Sequence, residues 1–171
     1  MQASCLLFIR KQAGSLRHKC TPLRTLAIDL GSRRVGLALS DEGGKFATPY
    51  DVLTVSSPEQ AANLVGQVVR KEGVERLVVG LPLNMDDTAG DAARRTIRWA
   101  DALSASAGCP VLFVDERLSS FAAEQRLIDR KRGGERMTRA DKKQRLDALA
   151  AAGFLQEFLD GRLPPIDPAS L

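Results

Sequence analysis

Beyond residue 24 the apolar positions fall into short runs of strand length and longer stripes at helical spacing. The segment TLAIDLGSRRVGLALSD sets the frame: Leu26, Ala27 and Ile28 run into a lone carboxylate, Asp29, then Gly31 and Ser32 turn the chain, and residues 35–39 return as a second apolar run. This pattern predicts a tight β-hairpin with an acid near the buried end of its first strand. Gly43-Gly44 marks another turn, and residues 45–55 read as a third strand interrupted by Pro49. Proline cannot donate to a ladder, so this strand belongs at an edge or at a bulge. Ser57-Pro58-Glu59 carries the signature of a capped helix start, with Gly73 closing the helix. Residues 76–80 form an unalternating apolar run, as in a strand buried on both faces. A loop over residues 81–90 leads into an Arg-studded helix over Asp91–Ala107, and residues 110–114 give the next buried strand. Asp115, Glu116 and Arg117 follow at once. Ser119 or Ser120 is placed to cap a helix to about Lys131, Gly133-Gly134 sits in a basic loop, and Thr138 caps a last helix over Arg139–Leu159.

Three hairpin-linked strands followed by helix, strand, helix, strand, helix and helix predict an α/β fold. Its expected core is a mixed five-stranded sheet: an antiparallel three-strand meander plus two parallel strands reached through helical crossovers, flanked by helices. Ligands to such sheets bind beyond the carboxyl ends of the parallel strands. Asp29 and Glu116 both fall there. One domain over residues 24–160 is expected, between a basic extension (1–23) and a proline-rich tail (161–171) that should be loose.

Composition narrows the chemistry. No apolar run approaches the roughly 18 residues of a membrane span. Cys5, Cys20 and Cys109 show no metal-ligand spacing, and thiols in a reducing compartment are expected. The single histidine, His18, lies in the extension, so a histidine-based metal site or triad is excluded from the domain and carboxylates are left to do the work. The net charge of +4 is unevenly spread. Residues 1–24 hold five basic residues and no acid, whereas the remainder has 20 basic against 21 acidic residues; within it, residues 117–145 carry ten basic and four acidic residues. Such a local positive field attracts phosphate, although a solvated helix face with a basic loop has the same composition. Residues 1–23 have the acid-poor, Arg-containing make-up of an organelle presequence, and equally that of a disordered tail or of a start codon set too far upstream.

The last helix supplies a third acid. Leu146, Leu149, Gly153 and Phe154 mark its buried stripe, and Asp147 stands among alanines small enough to let the helix backbone approach the sheet. Each acid also has an ordinary reading: Asp29 as a turn-forming residue, Glu116 as a partner of Arg117, and Asp147 as an i, i+4 partner of Lys143. Taken together, three carboxylates without histidine are the ligand set of a hard cation, Mg²⁺ or Mn²⁺, and point to metal-dependent phosphoryl chemistry.

Four motifs, IDLGSRRVGLALSD, VVGLPLNMDDTAG, FVDERLSS and RLDALAAAGFL, in this order and spacing, resemble the pre-16S rRNA nuclease family of the YqgF type. That family is related to the Holliday-junction resolvases, and the resemblance covers about residues 24–160. It implies a ribonuclease H-like fold and a hydrolase that cuts phosphodiester bonds in the 5′-end processing of small-subunit ribosomal RNA. It further implies that Asp29, Glu116 and Asp147 ligate Mg²⁺ or Mn²⁺ and activate water. Arg117 is expected to meet a phosphate, or else to pair with Asp115 or Glu116. Lys131, Arg132, Arg136 and Arg139 are expected to contact phosphates from the basic loop. The implied partner is nucleic acid, with precursor rRNA first and branched DNA second, together with ribosomal association, no membrane, and a monomer or weak homodimer. The implied location is cytoplasmic, or organellar if residues 1–23 are a transit peptide. One departure is Asp87, which stands where the family often has glycine.

Two other classes compete. Sugar kinases and actin-like ATPases open with a similar Asp-x-Gly-Ser/Thr hairpin, but they need two such domains and a second phosphate-binding hairpin that this chain lacks. A non-catalytic nucleic-acid-binding module on the same fold has no use for three costly carboxylates brought together.

Overall fold

The computed structural model describes residues 23–86, 88–118 and 139–171, except for the side chains of Leu118 and of residues 139–146. The helix expected after Ser119 or Ser120, the Gly133-Gly134 loop, the Thr138 cap and Asp87 lie outside the described residues.

A five-stranded sheet forms the centre, in the order β3-β2-β1-β4-β5. Its strands are β1 (Thr25–Leu30), β2 (Arg34–Ser40), β3 (Ala47–Thr54), β4 (Arg76–Leu81) and β5 (Val111–Asp115). β1 to β3 form the antiparallel meander, while β4 runs parallel to both β1 and β5. Pro49 lies on the edge strand β3, beside a register shift between Leu37 and Ala38, where a missing donor costs least.

Alternation along the strands divides the core in two. Leu26, Ile28, Val35, Leu37, Leu77, Val79 and Phe113 belong to the larger cluster, with Ala61, Val65 and Val69 of α1 (Pro58–Glu72) and Trp99, Ala100 and Leu103 of α2 (Asp91–Ala107). Ser57 caps α1 by accepting from the Gln60 amide, and Gly73 ends it at φ 63°. The Trp99 indole ties the two helices together by donating to the Pro58 carbonyl at 2.9 Å. On the opposite face, Ala27, Ala38, Val78 and Val114 pack with Ala151, Ala152, Phe154 and Leu155 of α3 (Arg139–Leu159). This face is lined by smaller side chains, so α3 lies close to the sheet.

The tail departs from expectation. Leu163 is buried, the Ile166 amide donates to the Phe113 carbonyl at 2.8 Å, and Asp167 caps a short 3₁₀ turn over Pro168–Ser170. Proline blocks helix and ladder continuation but not packing, and Leu163 and Ile166 on either side of Pro164-Pro165 anchor this segment against the sheet.

Candidate active site

The side-chain parity that puts Ala27 and Ala38 under α3 also puts Asp29, Arg34 and Gly36 on that face. Asp29 is paired with Gly36 of β2, and Gly80 of β4 lies one step beyond the last β1–β4 pair, Ile28 with Val79. Glycine therefore flanks Asp29 on both sides, and each glycine admits a neighbour. A Cβ on Gly36 would overlap the Asp147 carbonyl oxygen, so the helix backbone sits directly on β2 there. A Cβ on Gly80 would lie 3.2 Å from Glu116 Oε2 and 3.5 Å from the ring of Phe154. The two glycines make room for Asp147 and Glu116 around Asp29.

The electrostatics follow from that crowding. Burial, and then the nearby Glu116 and Asp147 carboxylates, push the Asp29 carboxyl from 3.8 up to about 7. Glu116 opens a 3₁₀ turn directly after β5, and burial followed by the Asp115 charge raises its carboxyl as well. Asp147 is met by Arg34, whose Nε donates to Oδ2 at 2.6 Å. Among the described residues no three His, Cys, Asp or Glu side chains stand close enough to hold a metal ion as a set.

A neighbouring carboxylate behaves in the opposite way. Asp115 is only 4% exposed, and burial alone would raise its carboxyl. Hydrogen bonds from Arg117 outweigh that and hold it below its usual range. The Arg117 amide and Nε donate to Oδ1, each at 3.0 Å, and Nη2 donates to Oδ2 at 2.8 Å. Nη1 donates to the Asn84 carbonyl, which joins the β5 end to the loop after β4. That loop is cross-braced. Asn84 Nδ2 donates to Thr88 Oγ1 at 2.9 Å, and Thr88 Oγ1 donates to Asp86 Oδ1 at 2.6 Å.

Comparison with known proteins matches the chain to a family. The sequence profile of the RuvX family, described as Holliday junction resolvase, matches residues 23–161. The chain belongs to this family. Two bacterial relatives of the RuvX-family chain are named "Putative pre-16S rRNA nuclease". That of Acidiphilium cryptum (strain JF-5) is 42% identical over 137 residues, covering 80% of this chain and 84% of the relative. That of Anaeromyxobacter dehalogenans (strain 2CP-C) is 46% identical over 144 residues, covering 83% and 100%. Among solved structures, T. thermophilus RuvC in complex with a Holliday junction substrate superimposes with a TM-score of 0.52 at 18% identity, covering 84% of this chain and 99% of that one. Free Thermus thermophilus RuvC gives 0.51. These likenesses identify the fold as RuvC-like and ribonuclease H-like.

Of the expected site residues in this RuvX-family chain, Asp29, Glu116 and Asp147 converge on one face at the carboxyl ends of β1 and β5. Arg117 takes the pairing alternative: its guanidinium is engaged by Asp115 and the Asn84 carbonyl. Lys131, Arg132 and Arg136 lie outside the described residues, and Arg139 is described only as the first residue of α3. Sequence reasoning missed Arg34, Gly36 and Gly80, and held Asp115 only as a pairing alternative for Arg117. A signal existed for the three. Arg34 is a cation at the mouth of an apolar strand, while Gly36 and Gly80 are the gaps in two otherwise bulky strands. Only the register shows that both gaps adjoin Asp29.

Proposed function

We propose that this chain is a metal-dependent nuclease that hydrolyses phosphodiester bonds and trims the 5′ end of precursor small-subunit rRNA. The observation that carries the reading is the gathering of Asp29, Glu116 and Asp147 about two glycines, where burial and then the two neighbouring carboxylates raise Asp29 to about 7. Carboxylates so crowded have excess negative charge and oxygen donors only, which fits Mg²⁺ or Mn²⁺. Asp29 and Glu116 would hold such an ion, with Asp147 completing the set. A bound ion of this kind supplies a nucleophilic hydroxide and stabilises the leaving oxygen.

The chain's own residues do the rest. Gly36 and Gly80 fix the acids, and the Asp115–Arg117 pair holds the backbone on both sides of Glu116. Lys131, Arg132, Arg136 and Arg139 contact the phosphates of the substrate. The names of the relatives support rRNA as the substrate, and their bacterial origin supports a cytoplasmic setting with ribosomal association. No helix among the described residues is long and apolar enough to cross a membrane. The family description and the RuvC likeness favour branched DNA as a second reading.

A cleavage assay separates the two. Purified protein with Mn²⁺ or Mg²⁺ is offered a 5′-extended small-subunit rRNA precursor and a four-way DNA junction, with Asp147→Asn as control. RNA cleavage lost in the variant is the expected result. Symmetrical junction cleavage would move the function to DNA, and equal cutting by the variant would remove Asp147 from the site.

A further inference from the structure

Arg34 has no part in the proposed reaction, yet among the described residues its guanidinium donates to Asp147. It opens β2 opposite Thr54, and its carbonyl accepts the Gly31 amide at 2.9 Å, so the hairpin turn fixes its backbone. The side chain crosses to α3, where Nε meets Asp147 Oδ2 at 2.6 Å, a short charge-assisted bond. Both side chains keep about a quarter of their surface open, 29% for Arg34 and 24% for Asp147. A partly exposed pair of this kind contributes only about 0–1 kcal/mol, so a stronger ligand can displace it. While it stands, Asp147 is committed to the guanidinium. No described set of three ligand side chains is close enough for an ion.

We propose that Arg34 is a displaceable counter-cation: it holds the Asp147 carboxylate in the metal-free protein and yields it when a divalent cation binds with Asp29 and Glu116. Arg34 is thus a positioning residue, and it lowers the site's affinity for the cation. The inference rests on the metal-site reading above and predicts a sign that a merely structural role does not. A structural prop, once removed, loosens the site and weakens cation binding. A competitor, once removed, strengthens it.

The experiment is calorimetric titration of the full-length protein with Mn²⁺, on wild type, Arg34→Gln, Arg34→Lys, Asp147→Asn, the Arg34→Gln/Asp147→Asn double variant and Asp29→Asn. Arg34→Gln is expected to lower the Mn²⁺ Kd about two- to fivefold, the scale of losing one ion-pair competitor. Arg34→Lys keeps the charge without the fork and should lower it less. In the Asp147→Asn background the Arg34→Gln effect should vanish. An effect that persists there means the cation merely feels a distant charge, and overturns the proposal. So does an unchanged or weaker affinity in Arg34→Gln, with Asp29→Asn still abolishing binding. If Arg34→Gln fails to fold in a metal-free melt, the Lys variant decides by the same sign. Binding that survives Asp29→Asn would instead sink the metal-site reading, and this inference with it.

Discussion

Asp115 and Glu116 are consecutive residues at the end of β5, and their carboxyl groups are driven in opposite directions. Asp115 points into a clamp in which Arg117 supplies both charge and directed donors, so its burial is compensated and it stays ionised. Glu116 turns to the α3 face, where Asp29 is raised by its presence and where Gly80 adjoins it. The clamp is self-sufficient, whereas burial and then the Asp115 charge raise Glu116. Two adjacent acids thus differ in whether their burial is compensated, by what each faces, a difference that residue type alone does not carry.

That contrast can be broken on either side. The largest effect should come from Asp29→Asn, which removes an oxygen donor from the undercompensated group. Metal-dependent cleavage should fall by more than about a hundredfold with the fold intact, measured as single-turnover rate beside a melting curve. Gly36→Ala should follow. Its methyl cannot coexist with the Asp147 carbonyl, so α3 must lift from β2, at a cost of about 2–4 kcal/mol in denaturant unfolding and with loss of cleavage.

Breaking the clamp tests the other side. Arg117→Ala leaves the buried Asp115 carboxylate unpaired and frees the loop at Asn84, and should cost about 2–3 kcal/mol in urea unfolding. Preserved stability in that variant would mean that Arg117 faces substrate after all.

The pH dependence sharpens the comparison further. The folded protein holds the Asp29 proton up to about 7, while the unfolded chain releases it near 3.8. Its contribution is therefore full below about 3.8 and is lost as pH rises through about 7. Metal-free wild type should lose about 1–3 kcal/mol relative to Asp29→Asn between pH 4 and pH 8, followed by thermal melts. Excess Mn²⁺ should cancel that loss in the wild type. The smallest effect belongs to Gly80→Ala, whose methyl crowds Glu116 Oε2 at 3.2 Å. The carboxylate can swing by a few tenths of an ångström, so stability should change by less than about 1 kcal/mol while cleavage falls several-fold.

Much of this was legible along the chain. The alternation of Leu26, Ile28, Val35 and Leu37, the Ser57 cap, the Gly73 stop and the edge-strand Pro49 are local signals. Each matches what a strand, a helix end or a ladder requires of its own residues. Asp29 and Glu116 were legible as candidates too, because a carboxylate at the end of an apolar run is costly wherever it lies, and Asp147 by its place beside the buried stripe of the last helix. The tail was misread because prolines report backbone limits, whereas Leu163 and Ile166 find their partners far away in sequence.

By itself, then, the sequence determined the strands, the described helices, their order and where the costly acids fall along them, since these depend on side-chain period and on the cost of burying charge. Tertiary structure alone decided which acid is satisfied and which is not. Arg34 reaches Asp147 across 113 positions, and Arg117 joins Asp115 to Asn84. Gly36 and Gly80 acquire meaning only when strand register sets them on either side of Asp29. The field at a carboxylate falls off with distance in space, and neighbours in space are fixed only when the sheet and α3 close on each other.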